Sequence, residues 1–181
     1  MLTRLLTPAL LLIFSYMLPV TAFAATAAEI DIKVDDTLSR FKQEIPGGEA
    51  FLANASGVLV FPNVIKAGFG IGGEYGEGAL RIDGKTVAYY NTAGASIGFQ
   101  LGVQSKSLVI VFLEDKALEY FQSSKGWEAG VDGSVAVVEW GVGEDINTIN
   151  LEDPIVGFVF GNKGLMFNLT LEGSKFTRIS K

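Results

Sequence analysis

The chain has 181 residues, no cysteine, no histidine and a formal net charge of −6. Without histidine or cysteine, zinc sites, Ser-His-Asp triads and Cys-His dyads are excluded, and no disulfide can support the fold. The acidic balance argues against a nucleic-acid partner and against a purely electrostatic clamp on anionic membranes.

The N-terminus reads as an export signal. Arg4 precedes the apolar run Ala9–Val20, and Ala22-Phe23-Ala24 offers small residues in an A-x-A cleavage pattern. The run is too short for a comfortable membrane span. Residues 1–24 are therefore expected to be a signal peptide, cut near Ala24 to Ala27. The mature chain, 29–181, is expected to be a single periplasmic or secreted domain, exported in the Gram-negative manner. Loss of Arg4 moves the net charge to −7.

Glu29–Glu44 carries Val34, Leu38, Phe41 and Ile45 at helical spacing, which predicts an amphipathic helix. Asp35 and Asp36 are expected near its start, capping free N–H groups, and Pro46-Gly47-Gly48 is expected to end it. A short second helix is expected over Glu49–Ala55. From Gly57 the chain turns to β structure: a strand at Val58–Phe61 closed by Pro62-Asn63, then Lys66–Gly78 (KAGFGIGGEYGEG), then Ala79–Ile82. Asp83-Gly84 predicts a type I′ hairpin into Lys85–Tyr90.

Lys66–Gly78 is the most unusual stretch. Gly68, Gly70 and Gly72 alternate with Ala67, Phe69 and Ile71, so one face of the strand is almost bare. A repeated glycine face marks a place where something else comes close. Ala95–Gln104 repeats the pattern, with Ala95, Ile97, Phe99, Leu101 and Val103 opposite Ser96, Gly98, Gln100, Gly102 and Gln104. The helix over Glu29–Glu44 is expected to cover the glycine face.

Leu108–Leu113 reads as a central strand buried on both faces. A helix over Asp115–Ser123 should turn Leu118, Phe121 and Ala117 inward. Gly130–Trp140 reads as strand and Gly141–Asp153 as an acidic surface loop. Ile155–Phe160, a turn at Asn162-Lys163-Gly164, and Leu165–Leu171 read as a closing hairpin. The fold expected is α+β: a mainly antiparallel sheet or partly closed barrel with two or three short helices.

Three chemistries are weighed on these residues. Gly68-x-Gly70-x-x-Gly73 fits a phosphate loop formally, but strand and turn follow it where a helix is required. Glu144, Asp145, Asn147, Asn150, Glu152 and Asp153 supply oxygen ligands without the spacing of an EF-hand. Glu74 and Glu77 fall on opposite sides of a strand or on a turn, and nothing marks them as an acid–base pair. No metal, no cofactor and no catalytic residue is expected. The thirteen phenylalanines, with Trp127 and Trp140, either form an aromatic core or line an acyl-chain cavity.

Several stretches, in order, are similar to a known family: Val58–Pro62 (VLVFP), Lys66–Gly78, Gly94–Ser105 (GASIGFQLGVQS), Leu108–Leu113, Glu119–Ser123, Gly130–Val137 (GVDGSVAV) and Asn162–Gly173 (NKGLMFNLTLEG). On them the chain resembles the SYLF-domain family of lipid-binding proteins, in its bacterial exported branch. The resemblance implies a non-catalytic domain that binds lipid or a membrane surface. Eukaryotic members are associated with phosphoinositides and actin, partners that an exported bacterial protein would not meet. The residues expected to contact lipid are Leu38, Phe41, Lys42 and Ile45 on the first helix, and Lys66, Gly68, Phe69, Gly70, Gly72, Gly98 and Phe99 on the glycine-faced strands. The alternative is a structural or protein-interaction module of the envelope with a closed core.

Overall fold

The computed structural model describes residues 25–139, 153–163, 171 and 173–181. The expected signal peptide, Trp140, the acidic stretch 141–152 and most of the final strand Leu165–Leu171 lie outside the described residues.

Helix α1 (Ala27–Glu44) starts with a capping box. The Thr26 hydroxyl accepts from the Glu29 N–H at 3.3 Å, and the Glu29 carboxylate accepts from the Thr26 N–H at 2.8 Å. This corrects the expectation for Asp35 and Asp36, which lie in mid-helix. Asp35 instead pairs with Arg81 at 2.8 Å. The helix stops at the Pro46-Gly47 turn, where Gly47 takes φ +76° to cap α2 (Gly48–Ala53).

Two long strands follow. β1 (Gly57–Ile82) and β2 (Lys85–Phe112) pair antiparallel along their length. The turn is the expected one: Asp83 and Gly84 have φ of +50° and +74°, the double positive of type I′. The expected breaks within these strands are absent. Pro62-Asn63 is a bulge inside β1, a place where a strand tolerates proline, and further register shifts fall at Phe69/Ile71 and Leu80/Arg81. The hydroxyl of Ser107 donates to the Pro62 carbonyl at 3.0 Å, and Ser105 bonds the side chain of Asn63, so the bulge is tied to β2.

β2 is the hub of the sheet. β1 lies along one edge; β5 (Ile155–Lys163) and β6 (Lys175–Ile179) pair with residues 105–112 and 89–93. Helix α3 (Asp115–Ser123) spans the residues expected of it and buries Leu118 and Phe121. The short β3 (Trp127–Glu128) joins β6, and β4 (Ala136–Glu139) joins β5 in parallel. The strand expected from Gly130 is a turn as far as Asp132, and β5 runs through Asn162 and Lys163 where a turn was expected. The result is α+β with a mostly antiparallel, curled sheet.

The curl is visible in its glycines. A Cβ on Gly78 would run into the Val60 carbonyl oxygen, and one on Gly76 would lie 2.8 Å from that of Asn63. The far half of β1 therefore packs over its own near half. Something does come close to a glycine face, but it is the strand itself. Helix α1 covers the other face, against Val58, Val60, Ala79, Val109, Val111, Phe158 and Phe160. The inner face holds a second core, with Leu59, Phe61, Leu80, Ile110, Phe112, Phe121, Trp127 and Phe176.

Candidate functional site

The bulge at Pro62-Asn63 reverses which residues of β1 face inward. Before it Leu59 and Phe61 join the inner core; after it Val64 does, and Lys66 shares that parity. On β2 the inward parity runs through Gln104, Lys106, Leu108, Ile110 and Phe112. The inner core therefore passes, toward the middle of the ribbon, into a polar chamber.

Lys106 is 2% exposed and pairs with Glu74 at 3.0 Å. The second carboxylate oxygen of Glu74 accepts from the Ser174 hydroxyl at 2.8 Å. Lys66 is 8% exposed, sits opposite Gln104 in the ladder, and has no hydrogen bond or ion pair among the described residues. Thr92, opposite Gly76, is fully buried with its hydroxyl unpartnered. A burial of this kind is costly unless something satisfies it.

The outer face of the same ribbon is apolar and exposed. Val103 is 69% exposed and Ile65 47%, diagonal neighbours with Ala67 between them and solvent-facing too. At Val109 and Val111 this parity is covered by α1; at Val103 it is bare. Of the residues expected to share one face of Ala95–Gln104, the described ends, Ala95 and Val103, face solvent.

Helix α1 is latched to the sheet through polar groups. Asp31 accepts from the hydroxyls of Thr86 and Tyr89 at 2.7 and 2.9 Å, and Arg81 reaches both Asp31 and Asp35. Burial, and then the bond to Asp31, push the Tyr89 hydroxyl above its ordinary pKa. Beside this latch lies a cleft of about 320 Å³ lined by Leu38, Lys42, Leu52, Ala55, Val58 and Arg81, among others.

The expected lipid-contacting residues thus fall into three places. Phe41 and Ile45 are core, Phe41 lying edge-on to Phe158 at 4.9 Å, so neither is available to a bilayer while α1 is docked. Leu38 and Lys42 line the cleft. Lys66 belongs to the chamber, with Gly68 opposite Gly102 and Gly72 opposite Ser96 nearby in the ladder. Phe69 is opposite Leu101; Gly70, Gly98 and Phe99 fall at the adjoining register shift, and the side chains of Phe69 and Phe99 lie outside the described set. Glu74, Thr92, Lys106 and Ser174 were not anticipated as a group. Glu74 and Glu77 do lie on opposite faces, Glu77 bonding Tyr75 and Lys181.

Residues 93–180 match the family model described as "Ysc84: Las17-binding protein actin regulator". The chain is also similar to SH3 domain-containing YSC84-like protein 1 of Bos taurus, Rattus norvegicus and Homo sapiens, in each case 32% identical over 130 residues. The match takes in 68% of this chain but only 37% of each relative, so the chain spans little more than a third of those proteins. The fold and these matches define an α+β domain of a family whose model is described as an actin regulator. The chain belongs to the Ysc84, or SYLF-domain, family.

Proposed function

We propose that the chain is an exported lipid-binding domain that associates with a membrane surface and carries out no catalysis of its own. The observation that carries this reading is the two-sided ribbon of β1 and β2. Its outer face offers exposed Val103 and Ile65 to an apolar phase, while its inner face holds cations. An exposed apolar surface on a β ribbon is suited to the boundary of a bilayer. Actin regulation, named in the family description, needs a cytoplasmic partner; a chain with the export signal read here meets envelope lipids instead.

Co-sedimentation of the purified protein with vesicles of zwitterionic, and of mixed zwitterionic and anionic, phospholipid tests this at low and high salt. The parent is expected to bind and to keep much of its binding in salt, because the contact is partly apolar. Val103→Glu and Ile65→Glu, both at exposed positions, are expected to weaken binding without unfolding the domain. A parent that binds no vesicle and carries no lipid through purification refutes the reading. The protein-interaction module of the envelope then takes its place, a reading favoured by the complete burial of Phe41 and Ile45 in a closed core.

A further inference from the structure

We propose that the chain is processed by hydrolysis of the Ala24–Ala25 peptide bond, and that Glu77 is the receptor for the α-ammonium group this creates on Ala25. In the cut an export peptidase adds water across the bond. Ala24 leaves as a carboxylate, and Ala25 keeps the nitrogen as an amine that is largely protonated at neutral pH. The inference rests on the export part of the proposed function and not on its lipid part.

The sequence leaves two cleavage frames open, Ala22-Phe23-Ala24 and Ala25-Thr26-Ala27. The fold separates them. A cut after Ala27 would remove two residues that the domain uses. Thr26 closes the capping box with Glu29, and its carbonyl accepts the first backbone bond of α1, from Ile30 at 3.0 Å. The Ala25 carbonyl accepts from the Lys181 ammonium at 2.9 Å. A cut after Ala24 keeps all of these bonds and changes only the group on the Ala25 nitrogen.

That nitrogen lies at a carboxylate. Lys181 also donates to Glu77 at 2.7 Å, so one ammonium holds Ala25 against the Glu77 side chain. The Ala25 N–H itself donates to the Glu77 carboxylate. Glu77 projects from β1 with its side chain only 14% exposed, and its other oxygen accepts from the Tyr75 hydroxyl at 2.9 Å. A carboxylate has room for about four hydrogen bonds, and Glu77 receives these three among the described residues. Replacing the amide by an ammonium turns a neutral donor into a charged one and strengthens a bond already in place. A cation at the start of α1 opposes the helix dipole. Glu29, bonded to the Thr26 N–H at 2.8 Å, offsets this from a second side. The lysines acting on these two carboxylates are Lys181, which shares Glu77, and Lys33, which is exposed one turn along α1 and screened by solvent.

The test is export of the full chain into the periplasm of a Gram-negative host, followed by intact mass and N-terminal sequencing. Ala25 is expected as the first residue. The α-amino group is then titrated by NMR through the carbon-13 methyl signal of Ala25. Its pKa is expected above the ordinary range of about 7.7–8.0, and back within that range in Glu77→Gln. A second chain carries two glutamines inserted between Ala24 and Ala25, so that the same cut leaves an amide at Ala25. Glu77→Gln should lower the melting temperature of the chain beginning at Ala25 by about 2–4 °C more than that of the extended chain. The bonds from Lys181 and Tyr75 are present in both and cancel in the comparison.

A first residue at Ala28 overturns the inference while export stands. So does an α-amino group of ordinary pKa, or an equal cost of Glu77→Gln in the two chains. A chain that is neither cut nor exported overturns the inference and the export reading together. The titration of the parent needs no variant, so it decides the matter if Glu77→Gln fails to fold.

Discussion

Removing Glu74 should expose how much the chamber depends on its one closed ion pair. In Glu74→Ala the ammonium of Lys106, 2% exposed, loses its partner, and the Ser174 hydroxyl loses its acceptor. Both charged side chains are nearly inaccessible, 2% and 9%, so solvent does little to screen the loss. Breaking a buried pair from one side costs about 3–5 kcal/mol, because the remaining charge is stranded. For a domain of this size that lowers the melting temperature by roughly 6–20 °C. Urea unfolding of Glu74→Ala, Lys106→Met and the double variant gives the coupling directly. The double variant strands no charge and should recover most of the loss. A cost for Glu74→Ala below about 1 kcal/mol, or a double variant no better than the single, would refute the reasoning, because Lys106 would then be shown to find water or another anion.

Two further outcomes follow from the same geometry. Gly78→Ala drives a methyl group into the Val60 carbonyl and should cost at least about 1–3 kcal/mol, whereas Gly73→Ala, whose nearest neighbour would be at 3.7 Å, should stay within about 0.5 kcal/mol; urea midpoints of the two variants check this. Glu77 has its pKa lowered from 4.5: burial pushes it up, but the bonds from Lys181 and Tyr75 outweigh that. A depressed carboxyl adds stability above its unfolded pKa and loses it as pH falls through the folded one. Acid unfolding of Glu77→Gln should therefore be shallower than that of the parent below about pH 4.5, with the two curves parallel at neutral pH.

Local signals in the sequence were legible, and long-range ones were not. The Asp83-Gly84 turn and the helix Asp115–Ser123 depend on residues within a few positions of each other, and both stand where expected. The apolar stripe of α1 was legible too, but its cap was not. Thr26-x-x-Glu29 is the motif that sets the start, and Asp35 and Asp36 were read in its place. Pro62 looked like the end of a strand because proline cannot donate in a ladder; at a bulge it has no need to. The larger miss was the assignment of faces. Alternation tells which residues lie together, but not which side is wet, and the glycine-faced side proved to be the inner one at Lys66 and Gln104. The chamber joins Glu74 to Lys106 and Ser174 across 32 and 100 positions, a separation at which no periodic pattern speaks.

The bulge at Pro62-Asn63 has a consequence for how such a chain could change. Because side chains alternate every residue, one deletion there would exchange the two surfaces of β1 beyond it, bringing Ile65 inward and Lys66 outward. The hairpin would keep its composition and length almost intact, yet β1 would turn Lys66 and Glu74 outward while Lys106 and Thr92 of β2 stayed inside. A single-codon event at this point is thus an inside-out switch. It would part Glu74 on β1 from Lys106 on β2 and leave that ammonium stranded inside, with no substitution at either residue.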